Sequence, residues 1–424
     1  MYSNWSIKLS KTDFAFYAIV LLIFLTFFPI TMCLPSLIRY ALQIFSIAMF
    51  FFGLIITRNY KLSFLYIMTS IVMLVRVYMI WQFKKSFASC AFSVFAAWAF
   101  AFYGLTLYKE SKTDKSRRLL LFLLILLSLT AITTIIGIRK YPLVVRELGR
   151  GTTSYSGQQG TDFSLAKWEY RLANIAGWNQ LYGMVFIVPV FLYAYFRSKK
   201  TIYLLGAAIL EVCIILSQLT FAMLLSFALI VLCLIKPQKT KRKIAMLVLL
   251  PLTGIAVLAC LDSIILLMVK LTSNSGMRML SNKLNDLYLL LQGVNTGDSL
   301  ARTNLYSISI ELFKKHPLIG QALYGVNSPD MFSYHSDFFD MIAYYGFFGV
   351  ILVTTGSIMY FHFIKKSFAP KWFALVQFLG FLSMYVFNPV WYSPQIFLGV
   401  FLMPSVLAQV FDGTSVCGKP CQQT

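Results

Sequence analysis

Two of the chain's three histidines stand in one polar stretch, KHPLIGQALYGVNSPDMFSYHSDF, which runs from Lys315 to Phe338. An imidazole titrates near neutrality and can take or hold the proton of a hydroxyl. His335 is followed by Ser336 and Asp337, just where the chain re-enters an apolar run. It can orient or deprotonate an attacking hydroxyl there, or act as a structural cap on that run. His316, before Pro317, reads as a turn residue, and His362 as structural. Arginine is the second chemistry-bearing type. Arg302 opens a segment in which Leu305, Ile308, Leu312 and Phe313 fall at helical spacing, so a surface helix is expected to Lys315, ended by His316–Pro317. Gly320 and Gly325 then mark turns. Arg139, Arg146, Arg150 and Arg171 stand in a second polar stretch, RKYPLVVRELGRGTTSYSGQQGTDFSLAKWEYRLANIAGWNQ. A guanidinium grips phosphate with two parallel donors and stays charged. Such arginines contact phospholipid headgroups or loop carboxylates, or they hold an anionic, lipid-linked substrate. The second reading is stronger for Arg171, which lies just before an apolar run and can start a helix pointing into the protein.

The elements that must position these groups are membrane spans. The 424 residues are 59% hydrophobic and 17% aromatic, with a mean hydropathy of +0.74. Apolar runs of roughly 20 residues recur, each long enough for a hydrocarbon core of about 30 Å. They are continuous rather than alternating, so helices are expected and not a barrel. About twelve spans are predicted, near 14–33, 37–56, 62–81, 87–108, 119–138, 178–196, 201–217, 219–235, 244–262, 338–361, 372–388 and 394–411. The seventh and eighth are separated only by SQLT, Ser217 to Thr220.

The net charge of +22 is absorbed by short basic loops such as YKESKTDKSRR, RSKK and KPQKTKRK. These fall on one side when both termini are cytoplasmic. WQFKKS, Trp81 to Ser86, is the exception and lands outside. No cleaved leader is expected. The other face carries two long loops, about 139–177 and 263–337, with most of the acidic residues. Long polar loops in a compact protein usually carry function, so this external face is the expected working face of one integral membrane domain.

Much is excluded. There is no phosphate loop, GxSxG, HExxH or EF-hand pattern, and no external DxD pair to hold a nucleotide sugar through a metal. CGKPC, Cys417 to Cys421, is half a zinc site without a second half. No metal, no cofactor and no nucleic acid are expected. Glu211 and Arg76 are the charges inside spans, and Glu211 can be a proton-relay group or pair with Gln218.

Arg302, the helix after it, HPLIGQALYG and HSDFFDMIAYYGFFG together resemble the bacterial O-antigen polymerase and O-antigen ligase superfamily. That pattern is an arginine, a P-x-x-G turn (Pro317 to Gly320), a histidine followed by Asn or Ser (His335–Ser336), and then a span ending in G-x-x-G (Gly346 to Gly349). RLANIAGWNQLYG resembles the family's arginine and later Asn that open a middle span, and Arg146 with Gly157 fits an R-x10-G pattern of some polymerases. The chain departs where members carry Ser-Arg-Gly, having Ser217-Gln218-Leu219-Thr220.

The resemblance implies an all-α polytopic membrane glycosyltransferase of GT-C-like architecture in a bacterial inner membrane. Its donor is a glycan on undecaprenyl diphosphate, and its partners are membrane lipids and a chain-length regulator protein. It implies catalytic roles for His335, Arg302 and Arg171, and substrate-binding roles for Arg146, Arg150, Asn179, Tyr334 and Asp337. The expected activity is polymerase. Ligase is the near alternative, and a lipid-linked sugar transporter is the alternative of another class.

Overall fold

The computed structural model describes residues 13–81, 87–110, 113–142, 144–150, 163–234, 261–274, 278–294, 297–325, 335–351, 371–390 and 393–411. Tyr334, His362, most of the run 244–262, the second half of the run 338–361, the WQFKKS loop beyond Trp81 and the CGKPC tail lie outside these residues. The helices that carry Arg76, Arg146, Arg150 and Arg302 are described, but those four side chains are outside the described set.

Every regular element among the described residues is helical. Four of them are long and apolar enough to cross a membrane: Ser36–Ile56, Thr113–Lys140, Trp178–Ser198 and Pro394–Phe411. Shorter apolar helices include Asp13–Phe27, Thr201–Leu216, Thr220–Leu234 and Lys371–Phe387. Large apolar side chains such as Leu37, Phe64, Ile125, Ile136 and Phe227 face outward, as lipid contact allows. This is a membrane protein. The first apolar run departs from expectation. Its helix stops at Phe27, and a 3-10 turn covers Pro29–Cys33. Pro29 has no N–H to continue the ladder and bars the residue before it from helical angles.

By internal packing the chain forms two units, each described separately below. Unit 1 is Met1–Ser217, His362–Phe381 and Val390–Thr424. Unit 2 is Gln218–Phe361 and Leu382–Pro389. Unit 1 contains α1 (Asp13–Phe27), α2 (Ser36–Ile56), α3 (Tyr60–Trp81), α4 (Phe87–Glu110), α5 (Thr113–Lys140), α6 (Val144–Arg150), α7 (Phe163–Leu172), α8 (Trp178–Ser198) and α9 (Thr201–Leu216). Unit 2 contains α10 (Thr220–Leu234), α11 (Leu261–Asn274), α12 (Arg278–Leu291), α13 (Gly297–Lys315) and α14 (337–351). Of α15 (Lys371–Phe387), the part to Phe381 belongs to unit 1. So does α16 (Pro394–Phe411), which has a π-helical turn over Leu398–Leu402.

Hydrocarbon around a helix bundle is as apolar as its core, so small residues and polar cross-links do much of the holding. In unit 1 the α1 helix ends early, and the Thr26 carbonyl has no helical partner. Gln395 Nε2 donates to it at 2.8 Å and Gln180 Nε2 at 3.4 Å. Pro189 interrupts the α8 ladder, and Gln377 Nε2 donates to the nearby Phe186 carbonyl at 2.8 Å. Gly183 and Gly399 sit where any Cβ would lie 2.7 Å from Gln395 and 2.4 Å from Phe186. These contacts bring α1, α8 and α16 to backbone distance around buried Phe27, Phe186 and Phe397.

Candidate functional site

In unit 2 the chain that carries Arg302 and the chain that follows His335 are fastened together. The expected helix is present as α13, Gly297–Lys315, and it stops at His316 before Pro317. Three contacts along one face of α13 engage α14. The Tyr306 and Phe339 rings stack at 5.1 Å. Ser309 Oγ donates to Asp340 Oδ1 at 2.7 Å, with both residues buried. Phe313 and Phe347 meet edge to face at 5.3 Å. Arg302 lies one turn before Tyr306, at the free end of this ladder.

The P-x-x-G turn explains why two separate glycines recur in the motif. Pro317 to Ile319 turn the chain, and the Gly320 N–H donates to the His316 carbonyl at 2.9 Å. Gly346 has φ +61° inside α14. Its conformation lets the Phe347 N–H donate to the Pro317 carbonyl at 2.7 Å, and the Phe348 N–H to Leu318 at 3.3 Å. Gly320 has φ +78°, and a Cβ on it would lie 2.2 Å from the Tyr344 carbonyl oxygen. Turn and helix thus pack backbone on backbone, which only glycine at both positions permits.

His335 sits exposed immediately before α14. Ser336 Oγ accepts the Phe339 N–H at 3.2 Å and so caps the helix. Asp337 and Asp340 are buried in its first turn, where the helix dipole favours a carboxylate. The Asp337 N–H points at the Asn388 carbonyl at 3.5 Å. His316 stacks on Tyr324 with centroids 3.8 Å apart, as suits a turn residue.

In unit 1, Arg171 is half-buried near the end of α7, and Asn179 is exposed in the first turn of α8. The link between them is pinned to α5. Asn174 has φ +56°. Its Nδ2 donates to Thr133 Oγ1 at 3.2 Å and to Thr130 Oγ1 at 3.4 Å, and Thr133 Oγ1 donates back to the Asn174 carbonyl at 2.8 Å. The Ala176 N–H donates to Thr134 Oγ1 at 2.8 Å. Gly137 leaves room for Ile175. A cleft of about 260 Å³ opens beside this link, lined by Thr133, Lys140, Tyr141, Glu169 and Tyr170 among others. Tyr170 also donates to Glu147 Oε2 at 3.5 Å. Burial pushes the Glu147 carboxyl above its ordinary range, partly opposed by that hydroxyl.

Around Arg171 the structure gathers more positive charge than the sequence suggested. Burial, and then repulsion by Arg39, hold its guanidinium below the ordinary value. Burial and Arg171 do the same to Lys167, one turn earlier on α7. Arg39 and the anchoring residues Asn174 and Ser309 were missed by sequence reasoning. Arg39 had a readable signal, since LPSLIR sets a cation between two apolar runs.

Residues 204–354 match the family model described as O-antigen ligase. The resemblance to the O-antigen polymerase and ligase superfamily is therefore shown. The matched segment contains α13, the P-x-x-G turn, His335 and α14, and it supports O-antigen polymerase- or ligase-type function in general. Members of this O-antigen ligase family are membrane enzymes of glycosyl transfer or ligation, and their substrate is a lipid-linked glycan. No curated protein matches the chain, and no solved structure matches it.

Proposed function

We propose that this protein is an O-antigen polymerase, joining lipid-linked oligosaccharide repeats by glycosyl transfer on the external face of a bacterial inner membrane. The observation that carries the reading is the α13–α14 ladder. It fixes the helix of Arg302 against the helix that His335 precedes, inside the segment matching the O-antigen ligase family. In the reaction, an acceptor sugar hydroxyl attacks the anomeric carbon of the donor. The new glycosidic C–O bond forms as the bond to the diphosphate breaks. The diphosphate leaves with the electron pair, and the hydroxyl proton passes to His335. Arg302 is assigned to balancing the charge that develops on the diphosphate, and Arg171 is assigned a catalytic role of its own. Arg146, Arg150, Asn179 and Tyr334 are assigned to substrate binding. Asp337 is buried, which suits positioning of the histidine segment better than contact with sugar.

Ligase is kept as a second reading, because the matching model is described as O-antigen ligase. The test is the lipopolysaccharide banding of a gene deletion, complemented with wild type or with His335→Ala. Core bearing one repeat, restored to a ladder by wild type alone, is the polymerase outcome. Bare core, with long chains accumulating on the carrier lipid, is the ligase outcome. A ladder that persists in the deletion overturns both and favours a transporter.

A further inference from the structure

The turn that follows α13 supplies its own carbonyls with donors and leaves none of that work to water. The His316, Pro317 and Leu318 carbonyls accept the N–H groups of Gly320 at 2.9 Å, Phe347 at 2.7 Å and Phe348 at 3.3 Å. A little further on, Gln321 Nε2 donates to the Gly325 carbonyl at 2.9 Å. Two of these donors come from α14, which Gly346 bends with its φ of +61°. In an aqueous loop, water would satisfy such carbonyls. In hydrocarbon an orphan carbonyl is costly, and irregular backbone persists only where protein groups satisfy it.

The side chains show the opposite trend. Leu318 is 71% exposed and Ile319 50%, while Phe347 and Phe348 beside them on α14 are 52% and 61% exposed. The backbone bonds from Phe347 and Phe348 to Pro317 and Leu318 hold these four residues in one region, and Ile351 continues it along α14. Satisfied backbone with outward apolar side chains is the pattern of a lipid-facing surface.

Register and sequence set the depth. The α13–α14 contacts pair Tyr306 with Phe339, Ser309 with Asp340 and Phe313 with Phe347, so the two helices advance in the same direction. α13 therefore descends beside α14 and does not lie flat across it. α14 is the first part of an apolar run that meets no Asp, Glu, Lys or Arg until Lys365–Lys366. A span needs about 20 residues, and that length counted back from Lys365 ends near Tyr345. The turn docks at this same level. Just before its tip stand exposed Lys314, bonded to Glu311 at 2.7 Å, and exposed Lys315. Exposed Tyr324 stacks on His316 at 3.8 Å. Lysines whose stems reach down from a polar level, and tyrosine, are what the headgroup region favours.

We infer that the tip of this turn, Leu318 and Ile319 with Phe347 and Phe348, inserts among the acyl chains of the lipid leaflet at the amino-terminal end of α14. Lys314, Lys315 and the His316–Tyr324 pair then lie at the headgroups. The stretch between the motif arginine and the motif histidine, which the sequence places in a polar loop, is thus anchored in the bilayer. The inference does not depend on which glycan reaction the chain performs.

The test uses the full-length protein in phosphatidylcholine nanodiscs, with its seven native cysteines replaced by serine. A nitroxide is attached to Ile319→Cys or, as control, to Ser307→Cys on the exposed side of α13. Oxygen concentrates in hydrocarbon and a nickel chelate stays in water. Oxygen should relax the label at Ile319→Cys more than the chelate does, and the order should reverse at Ser307→Cys. A label at Ile319→Cys that the chelate reaches as well as it reaches the control overturns the inference. A label there that neither reagent reaches means that protein covers the tip, and overturns it too. Should the cysteine-free chain fail to elute as a folded protein, benzoylphenylalanine in place of Leu318 in the otherwise native chain carries the test. Ultraviolet light should then join it to phosphatidylcholine. Attachment to protein alone would assign the patch to another chain or a second copy and reject lipid insertion.

Discussion

The backbone docking of the P-x-x-G turn on α14 predicts what Gly346→Ala does. The φ of +61° at Gly346 costs an L-residue about 1–2 kcal/mol. A Cβ would also lie 2.5 Å from the Pro317 carbonyl oxygen and 2.8 Å from the Gly320 nitrogen. Both are backbone atoms, so turn and helix must separate. That movement breaks the bonds from Phe347 to Pro317 and from Phe348 to Leu318, together about 1–3 kcal/mol. The expected destabilisation is about 2–5 kcal/mol by these terms. Gly293 supplies the control, since it has φ +80° with nothing within 4 Å of an added Cβ. Gly293→Ala should cost only the conformational part, about 1–2 kcal/mol. Unfolding of the purified variants in mixed micelles reads the difference. The lipopolysaccharide ladder should be lost for Gly346→Ala and kept for Gly293→Ala. Equal midpoints for the two variants would refute the docking argument, because only Gly346 has a partner to collide with.

Three further outcomes follow from other contacts. Asn174→Ala should lose about 2–3 kcal/mol, from its positive φ and its threonine bonds. Asn174→Gly restores the φ and should recover about half of that, so identical losses in a thermal melt would contradict the assignment. Glu147 binds its proton more tightly folded than unfolded, so stability should fall as pH climbs above 4.5. Glu147→Gln should flatten that slope, and a melting-temperature profile parallel to wild type would count against it. Gln395→Leu removes the 2.8 Å bond to the Thr26 carbonyl and should cost about 1 kcal/mol in the same micelle assay.

How far these features could be read in advance depended on how local their causes are. Among the described residues, helices stand at the apolar runs because lipid leaves the backbone no alternative. The end of α13 at His316 was legible because proline acts on its neighbour. The early stop of α1 was written in Pro29 but masked by the apolar residues around it. The turn glycines were visible as a spacing, while the reason for them, a backbone contact between residues about 26 apart, was not. Asn179 drew attention as the polar residue opening α8. The anchoring role falls instead to Asn174, because its partners Thr130 and Thr133 lie more than 40 residues away. No one-dimensional pattern connects them.

The family match and the cationic cluster bear on the chemistry from different directions. Residues 204–354 contain Arg302 and His335 but not Arg39, Lys167 or Arg171. The match therefore says nothing about the cluster, and the cluster's electrostatics owe nothing to the family. Metal-free departure of a diphosphate needs positive charge that is in place before the bond breaks. In the proposed reading, the motif-borne Arg302 and His335 supply part of what that step requires. Loss of the ladder in His335→Ala, with the ladder kept in Gly293→Ala, would tie the histidine before α14 to the reaction and not to the fold alone.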